Sequence, residues 1–271
     1  MIARIEHIRS LEMPELEPYR TLKRPLEHLQ KGIFVAEGEK VVSRLLASGI
    51  RLFSLLLTEQ WFAQHRATIE QHPDPIKIFI GEKRLLNSIV GHELHQAIMG
   101  IAKVPKGVPI TELVQIIEEK DNFLCVLIDG IVNAENMGVI VRNCACFAVD
   151  AILTLPSSCD PYLRRSVRNS MGNIFQMPIT YLTNARSDID SLKRSGLKFY
   201  AAHPNTISTD IRSVHFSKKI CIVLGAEGHG ISKEVLDLCD AFVTIPMKEG
   251  IDSLNVASAS AVLLWEIQNR K

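Results

Sequence analysis

Apolar and polar positions fall in short blocks along this chain. "IFVAEG" is a brief apolar run ending at Gly38. "EKVVSRLLASG" behind it repeats Val41, Val42, Leu45 and Leu46 at helical spacing, with Gly49 placed to cap the end. "IRLFSLLLT", "EQWFAQHRATIEQH" and "IKIFIG" then read as strand, helix and strand. This alternation predicts a small α/β domain with a largely parallel sheet. The first two dozen residues, with Pro14, Pro18 and Pro25 among scattered charges, read as an extension or a short helix rather than a core element.

"AKVPKGVP", Ala102 to Pro109, is the best linker. An amphipathic helix, "ITELVQIIEEK", follows, and "NFLCVLIDG" opens a second α/β series. "DAILTLP", "KFYAAHP", "KICIVLG" and "DAFVTIP" are its further strands. They are nearly all apolar, as in a sheet covered on both faces. The expected division is an N-terminal extension over 1–24, an α/β domain over 25–108 and a second α/β domain over 109–271.

Composition changes this picture little. Of 271 residues, 46% are hydrophobic and 23% charged, with a net charge of +1. That is ordinary for a globular protein and announces no general affinity for nucleic acid, though a local patch remains open. No apolar run approaches the ~20 residues of a membrane span, and "MIARIEHIRSLEMPE" lacks a signal-peptide layout. A cytoplasmic protein without a membrane partner is expected. The six cysteines form no Cys-x-x-Cys pair and sit mostly in apolar runs, so reduced core thiols are expected. "HELH", with His92 and His95, lacks the zinc-binding His-Glu-x-x-His spacing, and no metal site is expected.

Chemistry in open α/β sheets sits beyond the carboxyl ends of strands. After "FLCVLIDG", Asn136 and Gly138 precede a helix expected to start near Val139, with Arg142 about one turn in. Asn136 reads either as a helix cap or as a site residue. Arg142 has apolar neighbours, and a buried arginine there would want an anion. After "DAILTLP", Arg164, Arg165 and Arg168 can share one face. No acid lies between Tyr162 and Phe175, so this is either a solvated helix face or a phosphate-gripping patch. After "KICIVLG", Gly225, Gly228 and Gly230 allow close backbone approach, and Glu227 places a carboxylate at the sheet mouth. The spacing is neither a Walker loop nor Gly-x-Gly-x-x-Gly. After "DAFVTIP", Ser253 and Asn255 precede a helix rich in small residues. Either can serve as its N-cap.

Taken in order, these strand ends resemble the SpoU (TrmH-like) branch of the SPOUT RNA methyltransferases. The likeness covers about Asn122 to Glu266. It rests on "ENMGVIVRNCACF" with Asn136, Gly138 and Arg142, on "VRNSMGNIFQMPI", on "IVLGAEGHGIS" with Gly225, Glu227 and Gly230, and on "IPMKEGIDSLNVA". Asn133 and Ala134 stand where Asp-Pro is frequent. Residues 32–102, through "FVAEGEKVV" and "HELHQAIMGIAKV", also resemble the ribosomal-protein-like substrate-binding domain often fused in front.

The resemblance implies a SPOUT α/β domain with a deep trefoil knot, a homodimer, and transfer of a methyl group from S-adenosylmethionine to a ribose 2′-hydroxyl of structured RNA. Ribosomal RNA is slightly favoured over tRNA. It assigns Leu224, Gly225, Gly230, Ile245, Met247 and Leu254 to the cofactor. Arg142, Asn136, Glu227, Ser253 and Asn255 go to the catalytic frame, with Glu227 orienting the Arg142 guanidinium. Arg164, Arg165 and Arg168 are candidates for tracking RNA. The alternatives are an RNA-binding relative without catalysis, or another α/β enzyme holding a nucleotide phosphate at Gly225–Gly230.

Overall fold

The computed structural model describes residues 2–90, 96–204, 208–250 and 253–269; His92 and His95 lie outside them. The first half runs β1 (Ile2–Ile8), α1 (Glu17–Arg20), α2 (Pro25–Gln30), β2 (Ile33–Glu37), α3 (Glu39–Leu46), β3 (Leu52–Leu57), α4 (Glu59–Gln71), β4 (Ile76–Gly81), α5 (Lys83–Val90) and β5 (Ile98–Lys103). The second half runs α6 (Ile110–Glu119), β6 (Phe123–Ile128), α7 (Ala134–Cys146), β7 (Ala151–Thr154), α8 (Arg164–Asn169), β8 (Ile179–Tyr181), α9 (Ala185–Arg194), β9 (Lys198–Ala202), β10 (Thr209–Asp210), β11 (Lys219–Leu224), α10 (Lys233–Leu236), β12 (Ala241–Thr244) and α11 (Val256–Gln268). The chain divides into two compact units, Met1–Pro105 with Pro161–Phe175, and Lys106–Asp160 with Gln176–Lys271.

The first unit is built on a five-stranded sheet in the order β1-β4-β3-β5-β2. β1, β4 and β3 run parallel, and β5 is antiparallel to both β3 and β2. The opening segment is therefore a core element, contrary to the sequence reading. β1 is an edge strand on which only Ile8 is fully buried, so its sequence carries little apolar signal. The three prolines do stand in short helical turns, each within the first two positions, where a missing N–H costs nothing. These turns bury Leu16, Tyr19 and Leu22, and the Tyr19 hydroxyl meets Ser54 Oγ at 2.8 Å.

The Pro161–Phe175 segment completes this unit. The Phe34 ring lies 5.2 Å from Tyr162 and 5.6 Å from Phe175. The Arg44 guanidinium donates to Met171 O and to Asn173 Oδ1, both at 2.7 Å.

The second unit holds a seven-stranded sheet in the order β10-β12-β9-β11-β6-β7-β8, with every pairing parallel. β6 is buried along its whole length, as the unbroken apolar run requires. Cys125 and Cys221 are register partners across β6 and β11. Burial pushes the Cys221 and Cys144 thiols well up, and that of Cys239 to about 12, so these are packing groups rather than nucleophiles. None of the six cysteines is in a disulfide, but Cys146 is exposed on α7 and departs from the expected set of core thiols. Among the described residues no helix is long and apolar enough to cross a membrane.

Candidate functional site

Three adjacent parallel strands, β12, β9 and β11, end at one cleft of about 340 Å³ in the second unit. Its walls include all six residues assigned to the cofactor: Leu224, Gly225, Gly230, Ile245, Met247 and Leu254. Ser253 and Glu227 also line it. The cleft sits where open α/β sheets bind ligands, and its size suits a small molecule, for which ~300–1,000 Å³ is usual.

The loop after β11 is tightly closed. Ala226 and Gly230 exchange backbone hydrogen bonds of 3.0 and 2.9 Å. A Cβ on Gly225 would stand 2.3 Å from Gly230 C and from Ile231 N, so only glycine fits there. Gly230 has φ of +69°, which again favours glycine. Beneath this loop, buried Asp129 at the end of β6 takes Ser157 Oγ at 2.9 Å and Ser232 N at 2.7 Å. Asp129 thereby ties the β6 end to the chain just beyond the loop. The sequence reading missed it, although an acid closing the all-apolar run "FLCVLI" was a usable signal.

Beside the cleft, Asn136, Glu227 and Asn255 form a closed polar cluster. Asn136 Nδ2 donates to Glu227 Oε1 at 3.0 Å. Asn255 Nδ2 donates to the same oxygen and to Asn136 Oδ1 at 3.2 Å. Asn255 Oδ1 meanwhile caps α11, accepting from Ala257 N at 3.0 Å and Ser258 N at 3.2 Å. Each amide thus has one consistent orientation, because the carboxylate can only accept. Glu227 Oε2 has no hydrogen bond among the described residues and remains available to a donor.

Several expectations need correction. Helix α7 starts at Ala134, five residues before Val139, and its cap is Asn133. Asn133 Oδ1 accepts from Glu135 N at 2.8 Å and Asn136 N at 3.4 Å. This frees Asn136 for the cluster. Asn255, not Ser253, caps α11. Arg142 is exposed rather than buried, and it makes no ion pair or hydrogen bond among the described residues. Glu227 does not orient it. Six residues of helix turn Arg142 well away from the face carrying Asn136.

The three arginines after β7 are also not equivalent. Arg164 and Arg168 both pair with Glu37, whose side chain is 5% exposed, the latter at 3.2 Å. The acid absent from the surrounding sequence comes from 127 positions away. Arg164 is thereby committed to holding α8. Arg165 is exposed, and Arg168 keeps about half of its side-chain surface.

Another residue outside the sequence assignment is Asn143. Its Nδ2 donates to Ala257 O at 2.8 Å and Ser260 Oγ at 2.9 Å, locking α7 to α11 beneath the cluster. Among the described residues, no group of three or more His, Cys, Asp or Glu side chains is placed to hold a metal ion.

Residues 123–265 match the profile described as the SpoU rRNA Methylase family. An uncharacterized tRNA/rRNA methyltransferase of Mycobacterium bovis is 30% identical over 261 residues, spanning 93% of this chain and 88% of that relative. A TrmH family tRNA/rRNA methyltransferase of Staphylococcus aureus, itself assigned only putatively, is 33% identical over 156 residues, 57% of this chain and 62% of the relative. The AdoMet-bound rRNA methyltransferase from Sinorhizobium meliloti superposes with a TM-score of 0.84 at 24% identity, covering 98% of each chain. The SpoU methyltransferase AviRb from Streptomyces viridochromogenes, in complex with AdoMet, gives 0.81 at 20% identity over 96% of this chain and 98% of that one. The two structural likenesses establish the fold.

Proposed function

Since the chain belongs to the SpoU rRNA Methylase family, we propose that it transfers a methyl group from S-adenosylmethionine to a ribose 2′-hydroxyl of structured RNA, with ribosomal RNA favoured over tRNA. The observation that carries this reading is the convergence of all six cofactor residues on one cleft, next to the Asn136–Glu227–Asn255 cluster.

The cleft suits such a cofactor. Apolar Leu224, Ile245, Met247 and Leu254 offer packing for a planar base, and Gly225 and Gly230 bring bare backbone alongside. When bound, S-adenosylmethionine supplies an activated methyl group whose sulfur departs uncharged, so no metal is required. The chain's residues then have two tasks, aligning the ribose oxygen and managing its proton. Glu227 Oε2 and Ser253 stand at the cleft to hold the ribose hydroxyl. Asn136 and Asn255 fix the Glu227 carboxylate by donating to its other oxygen. Arg142, exposed and unpaired among the described residues, offers a planar fork of donors suited to grip a substrate phosphate.

Further parts of the reading are supported more locally. Beyond β12 the chain sets α11 against α7, a packing compatible with a deep trefoil knot. α11 carries Val262 and Trp265, 40% and 56% exposed, on a stripe with Ser258, which fits a homodimer face. The first unit serves as the ribosomal-protein-like RNA-binding domain, with exposed Arg165 and Arg168 on its inserted segment facing RNA. Cysteines outside any disulfide fit a cytoplasmic setting.

The deciding experiment supplies labelled S-adenosylmethionine and cellular RNA and maps alkali-resistant 2′-O-methyl positions. Label entering a base rather than ribose would overturn the ribose assignment. Cofactor retention without any transfer to RNA would favour a binding protein.

A further inference from the structure

The first unit carries a second, larger cleft of about 770 Å³ that the proposed chemistry does not use. It lies at the carboxyl ends of the three adjacent parallel strands β1, β4 and β3, where Ile8, Gly81 and Thr58 line it. That is the ligand position of an open α/β sheet. The opening segment of the chain builds one wall with His7 and Arg9, and the starts of α4 and α5 build the others with Glu59, Trp61, Glu82 and Lys83.

The chemistry of this lining is selective. An anion alone would be repelled by Glu59 and Glu82. A metal ion would need a cluster of carboxylates or imidazoles, and no such group occurs among the described residues. An apolar ligand would leave the many polar groups unpaired. Hydrogen-bond donors and acceptors mixed around one indole match a nucleobase, whose edge carries both and whose face stacks. Trp61 is only partly exposed, and His65 stacks against it with centroids 6.0 Å apart and planes 19° apart, which fixes the indole plane. Arg9 is exposed and unpaired among the described residues, so it is free to meet the phosphate attached to such a base.

We propose that this cleft binds an unstacked nucleotide of single-stranded RNA, with Trp61 stacking on the base and Arg9 holding the adjoining phosphate. The assignment rests on the proposed function only for the partner being RNA. The role of the N-terminal strand is then to complete the cleft, not merely to extend the sheet.

The test measures binding of the full chain to short fluorescein-labelled single-stranded oligoribonucleotides of mixed sequence, by anisotropy at low salt. Trp61→Ala is expected to weaken binding by about tenfold or more, and Trp61→Phe, which keeps a stacking face, by much less. Arg9→Ala is expected to weaken it and to reduce its salt dependence. Unlabelled duplex RNA is expected to compete poorly. S-adenosylmethionine affinity, measured calorimetrically on the same variants, is expected to stay unchanged. Wild-type RNA affinity in Trp61→Ala and Arg9→Ala, or no RNA binding by the unmodified chain, would overturn the proposal. Failure of the unmodified chain to bind S-adenosylmethionine would sink the methyl-transfer reading instead, without touching this one.

Discussion

Asn136 and Glu227 stand 91 positions apart in the chain, yet Asn136 Nδ2 lies 3.0 Å from Glu227 Oε1. With Asn255 on the same oxygen, one carboxylate holds together the first turn of α7, the loop after β11 and the start of α11. Glu227→Gln keeps an acceptor but removes the charge, whereas Glu227→Ala removes both. Charge-assisted hydrogen bonds contribute about 1.5–3 kcal/mol. Glu227→Ala is therefore expected to slow methyl transfer by at least about tenfold, with Glu227→Gln in between. Equal rates in all three proteins would remove the cluster from the mechanism.

The loop at Gly225 makes a sharper contrast. Gly225→Ala forces a Cβ to 2.3 Å from backbone atoms of Gly230 and Ile231, whereas nothing lies within 4 Å of a Cβ on Gly228. Calorimetry with S-adenosylmethionine should find at least about tenfold weaker binding in Gly225→Ala, in line with overpacking against rigid backbone. Gly228→Ala should bind as the parent does.

Arg142 bears no load in the fold, being exposed and unpaired among the described residues. Arg142→Lys and Arg142→Ala should leave the unfolding free energy, measured by chemical denaturation, within about 0.5 kcal/mol of the parent. Both should lose methyl transfer, because lysine keeps the charge but not the planar fork. A full rate in Arg142→Lys would dismiss this residue as phosphate anchor and as base alike.

Glu37 is the reverse case, a residue for stability rather than chemistry. It is buried and faces two guanidinium groups. Glu37→Ala leaves Arg164, itself 19% exposed, without its counter-ion, at an expected cost of about 3 kcal/mol. Chemical denaturation measures this. Proteolysis should then cut first within the Pro161–Phe175 segment, which that pairing anchors.

Acid should weaken the first unit through its buried histidines. Burial holds His28 below the ordinary imidazole range, against the pull of Glu17, and its Nε2 meets Thr21 Oγ1 at 2.9 Å. Burial likewise lowers His72, against the pull of Asp74. Both rings take up a proton less readily in the fold than in the unfolded chain, which does so below about pH 6.5. Stability is thus complete above that value and falls as the pH drops below it. Thermal midpoints recorded from neutral to acid pH should show the decline, and it should flatten when both residues are changed to Gln.

The sequence by itself determined most of the strands, the α/β class and the residues that line the cleft beyond β11 and β12. Unbroken apolar runs such as "FLCVLI" specify buried strands whatever surrounds them, and glycines and polar residues clustered at strand ends mark where a ligand would sit. What escaped it depended on partners distant along the chain. β1 is recognisable only once β4 lies beside it, because an edge strand buries too little to show a pattern. Local spacing offered both Ser253 and Asn255 as the cap of α11, and only the fold selects Asn255. The three arginines after β7 looked alike until Glu37 paired with two of them. Glu227, expected beside a guanidinium, meets two amides instead. Sequence periodicity records how much surface a residue buries, but the choice of polar partner follows from three-dimensional proximity, and only the tertiary structure supplies that.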